Sequence, residues 1–189
     1  MDAPSQPTRR GETVVRAEFV AAALSGYRLR LDGLHGPAHW LRVRANGLVL
    51  AGLTPGANSA IVELFALFHD CRRRDDGLDT GHGERAAAYV RRLAKEGVLR
   101  LPAPSLDRLA DACAGHEHGE VSGDATIGCC WDADRLELSR LGRRPIARFL
   151  STGAARRSEV QAAAWERGMT GRVDAEAAAL WGLDPSQLR

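Results

Sequence analysis

The sequence predicts an all-α fold. Apolar residues recur at three- and four-residue steps in segment after segment, no stretch alternates convincingly as a strand would, and Gly or Pro marks the ends of most periodic segments. The most informative segment is Ile61-Val62-Glu63-Leu64-Phe65-Ala66-Leu67-Phe68-His69-Asp70, an apolar run in which Glu63 is the only charge before the final pair. Preceded by Thr54-Pro55-Gly56-Ala57-Asn58-Ser59, it reads as a helix buried on most sides, with Asn58 or Ser59 as its N-cap. It delivers an imidazole and a carboxylate to the core. Burying such groups costs several kcal/mol unless they are paired, hydrogen-bonded or bound to metal, so His69 and Asp70 require partners elsewhere in the chain.

Taken in order, residues 1–12 are rich in Pro and polar residues without periodicity, and a disordered tail is expected there. Val15, Phe19, Ala22 and Ala23 recur at helical spacing between Val14 and Tyr27, and Gly26 and Gly33 bracket the exit. Pro37 opens a helix expected to run to Ala51, where Gly52 stops it. His39, Val43, Asn46 and Leu50 share one face of it, so His39 is expected to point inward. After the His-Asp helix, Arg72 to Gly83 reads as a polar loop carrying His82, and its length favours a functional role.

A helix from Glu84 to Glu96 follows, with Ala86, Val90 and Leu93 as its apolar stripe and Gly97 as its stop. Ser105 is the expected cap of the next helix, whose stripe of Leu106, Leu109, Ala110 and Cys113 leads to His116. From Asp124 to Leu141 one helical face carries Ile127, Cys130, Trp131, Asp134, Leu138 and Leu141. Asp132 is turned about 200° from Asp134 at roughly 3.6 residues per turn, so periodicity selects Asp134 as the inward carboxylate. Beyond Pro145 the segment to Arg167 reads as a surface-like helix, and a short helix is expected around Ala175 to Leu180.

Composition bounds the answer. A chain of 189 residues, 44% hydrophobic and 26% charged, suits one well-filled core, expected over residues 13–150 with a helical extension, 151–189, packed on it. No segment approaches the roughly 18 apolar residues of a membrane span, and the first ten residues lack the apolar centre of a signal peptide, so no membrane partner and a cytoplasmic location are expected. Net charge is +2, which gives no global pull toward nucleic acid, and no stable nucleic-acid complex is expected. Cys71, Cys113, Cys129 and Cys130 contain no Cys-x-x-Cys spacing and read as buried reduced thiols.

The inward polar groups are thus His39, His69, Asp70, His116 and Asp134, with His82 on the loop. Imidazole nitrogen and carboxylate oxygen are the donors of catalytic divalent transition metals, and helical cores build such sites from side chains on several helices. The order His39, then His69-Asp70, then Asp134 within Ala133-Asp134-Arg135-Leu136 resembles the HD-domain superfamily of metal-dependent phosphohydrolases. The resemblance covers about Leu34 to Leu141 and rests also on Trp40-Leu41-Arg42-Val43 after the first histidine.

It implies an HD-type helical domain in which His39, His69, Asp70 and Asp134 hold one divalent ion: manganese, nickel, cobalt, zinc or iron. His82 and His116 lie where two-metal members carry further histidines, so a second ion is allowed, bridged by Asp70. The implied reaction is hydrolysis of a phosphomonoester or phosphodiester, with nucleotides as the substrate class and metal-bound hydroxide as nucleophile. Asp70, Arg72, Arg73 and His116 are the candidate catalytic groups, the arginines on the phosphoryl oxygens. Glu63, which can orient a ligand, and His35, which can approach the substrate, stay open between site and ordinary roles; His118 reads as a group behind the ligands or at the surface. Two alternatives stand beside this reading: a di-iron oxygenase of the same superfamily and a non-catalytic ligand-binding module. The oligomeric state is left open.

Overall fold

The computed structural model describes residues 13–188, so the expected tail at residues 1–12 lies outside the described residues. The described residues form eight α-helices and three short 3-10 turns, with no strand among them. The helices are α1 (Ala17–Leu24), α2 (Pro37–Leu53), α3 (Ser59–Phe68), α4 (His82–Lys95), α5 (Ala103–Gly115), α6 (Ala125–Leu136), α7 (Ser158–Thr170) and α8 (Ala175–Leu180). None of the described helices is long and apolar enough to cross a membrane.

The central helix is α3, and every residue from Ile61 to Phe68 is buried, Glu63 included. Asn58 caps it, accepting from the Ala60 and Ile61 amides at 3.0 and 3.2 Å. α2 lies along one side and α5 and α6 along others. Close approach of α2 to α3 depends on Gly47, because a Cβ there would stand 2.5 Å from Val62 Cγ1. The face predicted for α2 is the buried one: His39, Val43, Asn46 and Leu50 are all nearly inaccessible.

Several boundaries differ from expectation. The loop after Asp70 is shorter than predicted, and His82 is the first residue of α4 rather than a loop residue. Pro102, not Ser105, stands at the N-cap of α5, since Pro-Ala-Pro can enter a helix with few amides to satisfy. α6 ends at Leu136 and tightens into a 3-10 turn, Glu137–Leu141. That change of pitch takes Leu138 and Leu141 off the buried stripe; Leu141 is exposed, and Glu137 and Ser139 are buried in their place.

Residues 145–157 are not helical apart from a 3-10 turn at Ala147–Phe149. What organises this segment is Asp132, which accepts from the Ser151 and Thr152 amides, both at 2.7 Å, and from Thr152 Oγ1 at 2.8 Å. Asp132 does face away from Asp134, but it is fully buried because residues 150–155 cover that side. α7 then packs against the 3-10 turn and α2, with Arg167 Nη2 donating to Asn46 Oδ1 at 2.8 Å. The C-terminal extension is therefore joined to the helices that carry the histidines.

Candidate metal centre

Four imidazoles converge on Asp70, and each reaches it by a definable local device. His39 lies in the first turns of α2, where Glu137 Oε2 is 3.1 Å from its Nδ1. His69 directly follows α3 and turns its Nδ1 back to the carbonyls of Phe65 and Ala66, both at 3.2 Å, with its ring stacked on Phe65. His116 follows α5 in the same way, its Nδ1 2.7 Å from the Cys113 carbonyl. Two histidines thus turn back onto carbonyls in the last turn of the helix each one follows. His82 opens α4, with Nδ1 2.7 Å from the Asp79 carbonyl and 3.2 Å from Glu117 Oε2. α4 can approach α5 this closely because position 83 is glycine: a Cβ there would strike the Cys113 carbonyl.

These contacts favour one tautomer for each neutral ring. With each Nδ1 against an acceptor oxygen, the proton of each neutral ring sits on Nδ1 and the lone pair on Nε2. The Nε2 atoms nevertheless meet in pairs, His39 with His69 at 3.1 Å and His82 with His116 at 2.8 Å. Two lone pairs at that distance repel unless positive charge lies with them.

Asp70 stands between the pairs and splits its oxygens. Oδ2 lies 3.5 Å from Nε2 of both His39 and His69. Oδ1 lies 3.2 Å from His82 Nε2 and 3.7 Å from His116 Nε2, and it is a buried oxygen with no hydrogen-bond partner. Asp134 Oδ1 adds a donor to the first pair, 3.3 Å from His39 Nε2 and 3.8 Å from His69 Nε2. Two buried groups of donor atoms, His39–His69–Asp70 and Asp70–His82–His116, each close within 4.8 Å and could hold a metal ion.

The titration behaviour expresses the same shortage of positive charge. Burial opposes protonation of His39, yet Asp134, Asp70 and Glu137 together raise its pKa to about 9. Burial carries His69 the other way, down to about 3. Burial also works against ionisation of Asp70, but the imidazoles around it, His69 foremost, hold its carboxyl well below the usual range. His116 is raised in spite of burial, chiefly through Asp70.

The predicted residues do not all gather here. Arg73 does: its Nη1 is 3.1 Å from His82 Nε2 and 3.6 Å from Asp70 Oδ1, and its Nη2 donates to Gly77 O at 2.7 Å. Arg72 does not. Its guanidinium donates to the Ala22 and Ala23 carbonyls, both at 3.1 Å, and lies 3.5 Å over the Tyr89 ring, so it ties α1 to α4 instead of facing the donors. The expected role for Arg72 on the phosphoryl group at this centre is therefore corrected. Glu63 is likewise elsewhere, paired with Arg44 at 2.5 Å and accepting from the Val14 amide at 2.9 Å. His118 is exposed, one of the two places expected for it.

Three contributors escaped the sequence reading. Glu137 accepts from Arg42 Nε at 3.0 Å while orienting His39, and Glu117 accepts from the Gly81 and Gly83 amides while facing His82. Each is the carboxylate partner that a ligating histidine commonly has. The hydroxyl of Tyr27 is buried without a partner and feels the Asp70 charge. His35 has Nδ1 2.9 Å from Asp76 Oδ1 and its ring 6.1 Å from that of His39. No family model, curated protein or solved structure matches the chain.

Proposed function

We propose that the chain is an HD-type metal-dependent phosphohydrolase, cleaving a phosphomonoester or phosphodiester with nucleotides as the expected substrate class. The observation that carries this reading is the arrangement of four imidazole Nε2 atoms around the two oxygens of Asp70, in the residue order that resembles the superfamily. The donors fit a divalent cation: they are nitrogen and carboxylate oxygen, all but Asp134 are buried, and Asp70 Oδ1 has no hydrogen-bond partner. His39, His69, Asp70 and Asp134 would hold the first ion, and Asp70, His82 and His116 a second. A cation bound there supplies Lewis acidity, lowering the pKa of water and neutralising phosphoryl oxygens.

The chain's own groups do the rest. Arg73, held from behind by Gly77 O, directs a fixed guanidinium to the Asp70–His82 side, where it can accept charge developing on phosphate. His35 is in neither group of donors; burial lowers its pKa while Asp70 and the hydrogen bond to Asp76 oppose that, and we assign it the proton relay to the leaving oxygen. Asp134, with 23% of its side chain exposed, is the most open donor and marks the side on which water and substrate reach the centre.

The test is hydrolysis of nucleotide and generic phosphate esters by protein supplied with manganese, nickel or cobalt. The reading predicts turnover that disappears in Asp70→Ala and falls by about 100-fold or more in His35→Ala. Iron in the purified protein, with oxygen consumption and no ester cleavage, would contradict it and favour the oxygenase alternative.

A further inference from the structure

Beside the candidate centre lies a cavity of about 150 Å³ whose walls are Gly26, Arg28, Arg72, Arg73, Arg74 and Arg85. Cavities of about this size accept molecules as large as benzene, so a phosphate group can enter. No carboxylate lines it. Of the acids nearby, Asp79 binds the wall residue Arg85 at Nη2 through both oxygens at 2.5 Å, Asp76 pairs with His35, and Asp75 accepts from the Gly77 amide at 2.7 Å.

Three of the guanidiniums are held in place before any ligand arrives. Arg72 is fixed by two α1 carbonyls and the Tyr89 ring, Arg73 by Gly77 O, and Arg85 by Asp79 and the Arg72 carbonyl. Arg28 and Arg74 are exposed, and among the described residues their side chains form no ion pair and no hydrogen bond. Like charges gathered around one space repel, and acids offset only part of this charge, Asp79 at Arg85 and Asp70 at Arg73. Arg28 and Arg74, uncompensated and set beside guanidiniums already fixed in place, are what recognition of phosphate uses.

Arg73 belongs to both places, since it lines the cavity and reaches Asp70 and His82. We infer that this cavity is a second phosphate subsite, so that the substrate carries two phosphate groups, one at the His/Asp centre and one among the arginines. The inference builds on the hydrolase reading for the first phosphate, while the arginine subsite has its own test.

The probe is inorganic pyrophosphate, titrated by calorimetry into the full-length protein and into Arg28→Ala/Arg74→Ala. Both positions are exposed, so the double variant is expected to fold, and circular dichroism checks this. The subsite predicts binding to wild type that weakens steeply with added salt and is about tenfold or more weaker in the double variant. Absence of pyrophosphate binding, or equal affinity in the two proteins, overturns it.

In hydrolysis assays pyrophosphate should compete with p-nitrophenyl phosphate, and the double variant should raise its inhibition constant about tenfold more than it raises the KM for p-nitrophenyl phosphate. Noncompetitive behaviour would overturn the assignment to substrate and make the bound anion a separate effector. A chain that binds pyrophosphate through Arg28 and Arg74 yet cleaves no ester upholds the subsite and removes the hydrolase reading.

Discussion

The two halves of the centre share Asp70 but are not equivalent. The first, His39–His69–Asp70 with Asp134 alongside, draws on α2, the end of α3 and α6, and its histidines are completely buried. The second, Asp70–His82–His116, uses the start of α4 and the end of α5 and has the guanidinium of Arg73 against its open side. One half offers four side chains and feels a cation only through the charge of Arg140 on His39; the other offers three and has the Arg73 guanidinium in contact with its donors. The lesson is that a shared carboxylate does not make two sites equal. The first half should fill first and hold its ion more tightly.

The most severe way to break that comparison is Asp70→Ala, which removes the oxygen common to both halves. Metal content by mass spectrometry should fall to background, while His116→Ala should lose only the second ion. If His116→Ala and wild type hold the same amount, the second half is not a site. A step smaller, Glu137→Gln weakens the acceptor that orients His39 and should reduce affinity for the first ion about 10- to 100-fold, with Glu117→Gln doing the same for the second. Competition with a chelator measures both, and equal effects of either variant on both ions would deny the division.

The pH dependence of the cation-free chain sharpens the picture further. His39 is raised to about 9, so its stabilising contribution is complete below its ordinary value of 6.5 and is lost as pH climbs through 9. His69 is lowered to about 3, so the unfolded chain takes up a proton below 6.5 that the folded chain refuses, and stability falls as pH drops from 6.5 toward 3. Thermal unfolding in chelator should therefore show a maximum near the ordinary histidine value of 6.5. Added cation should flatten the alkaline limb, because it replaces the proton on His39. A monotonic profile would contradict these assignments.

The smallest effect on the centre is expected from Glu63→Gln. This residue shares α3 with the helix end that carries His69, but it serves Arg44. Stability should drop by roughly 3 kcal/mol as Arg44 loses its buried partner, with metal content unchanged. Loss of metal in that variant would tie Glu63 to the centre after all.

How much of this was legible in the chain follows from which signals are local. His39, Asp134 and His116 could be placed from helical periodicity because each extends an apolar stripe, and His69-Asp70 stood out because an apolar helix ran into them. Arg72 misled because a run of three arginines carries no information about which one turns inward; helix packing sent Arg72 to α1 and Arg73 to the donors. Glu137 was hidden by the change from α to 3-10 pitch, which moves every later residue to a different face. The burial of Asp132 was not legible because periodicity describes one helix face and cannot foresee that residues 150–155 return to cover the other. The arginine cavity unites positions 28, 72–74 and 85, a juxtaposition that only the fold creates.

The central claim is that positive charge lies where the paired Nε2 atoms meet. The most direct measurement is anomalous diffraction from crystals grown with manganese. The account predicts a peak about 2.0–2.3 Å from Nε2 of His39 and His69 and an oxygen of Asp70, with a second, weaker peak near His82 and His116. A map with no peak at either pair, and the imidazoles still 3 Å apart with only a proton between them, would contradict it.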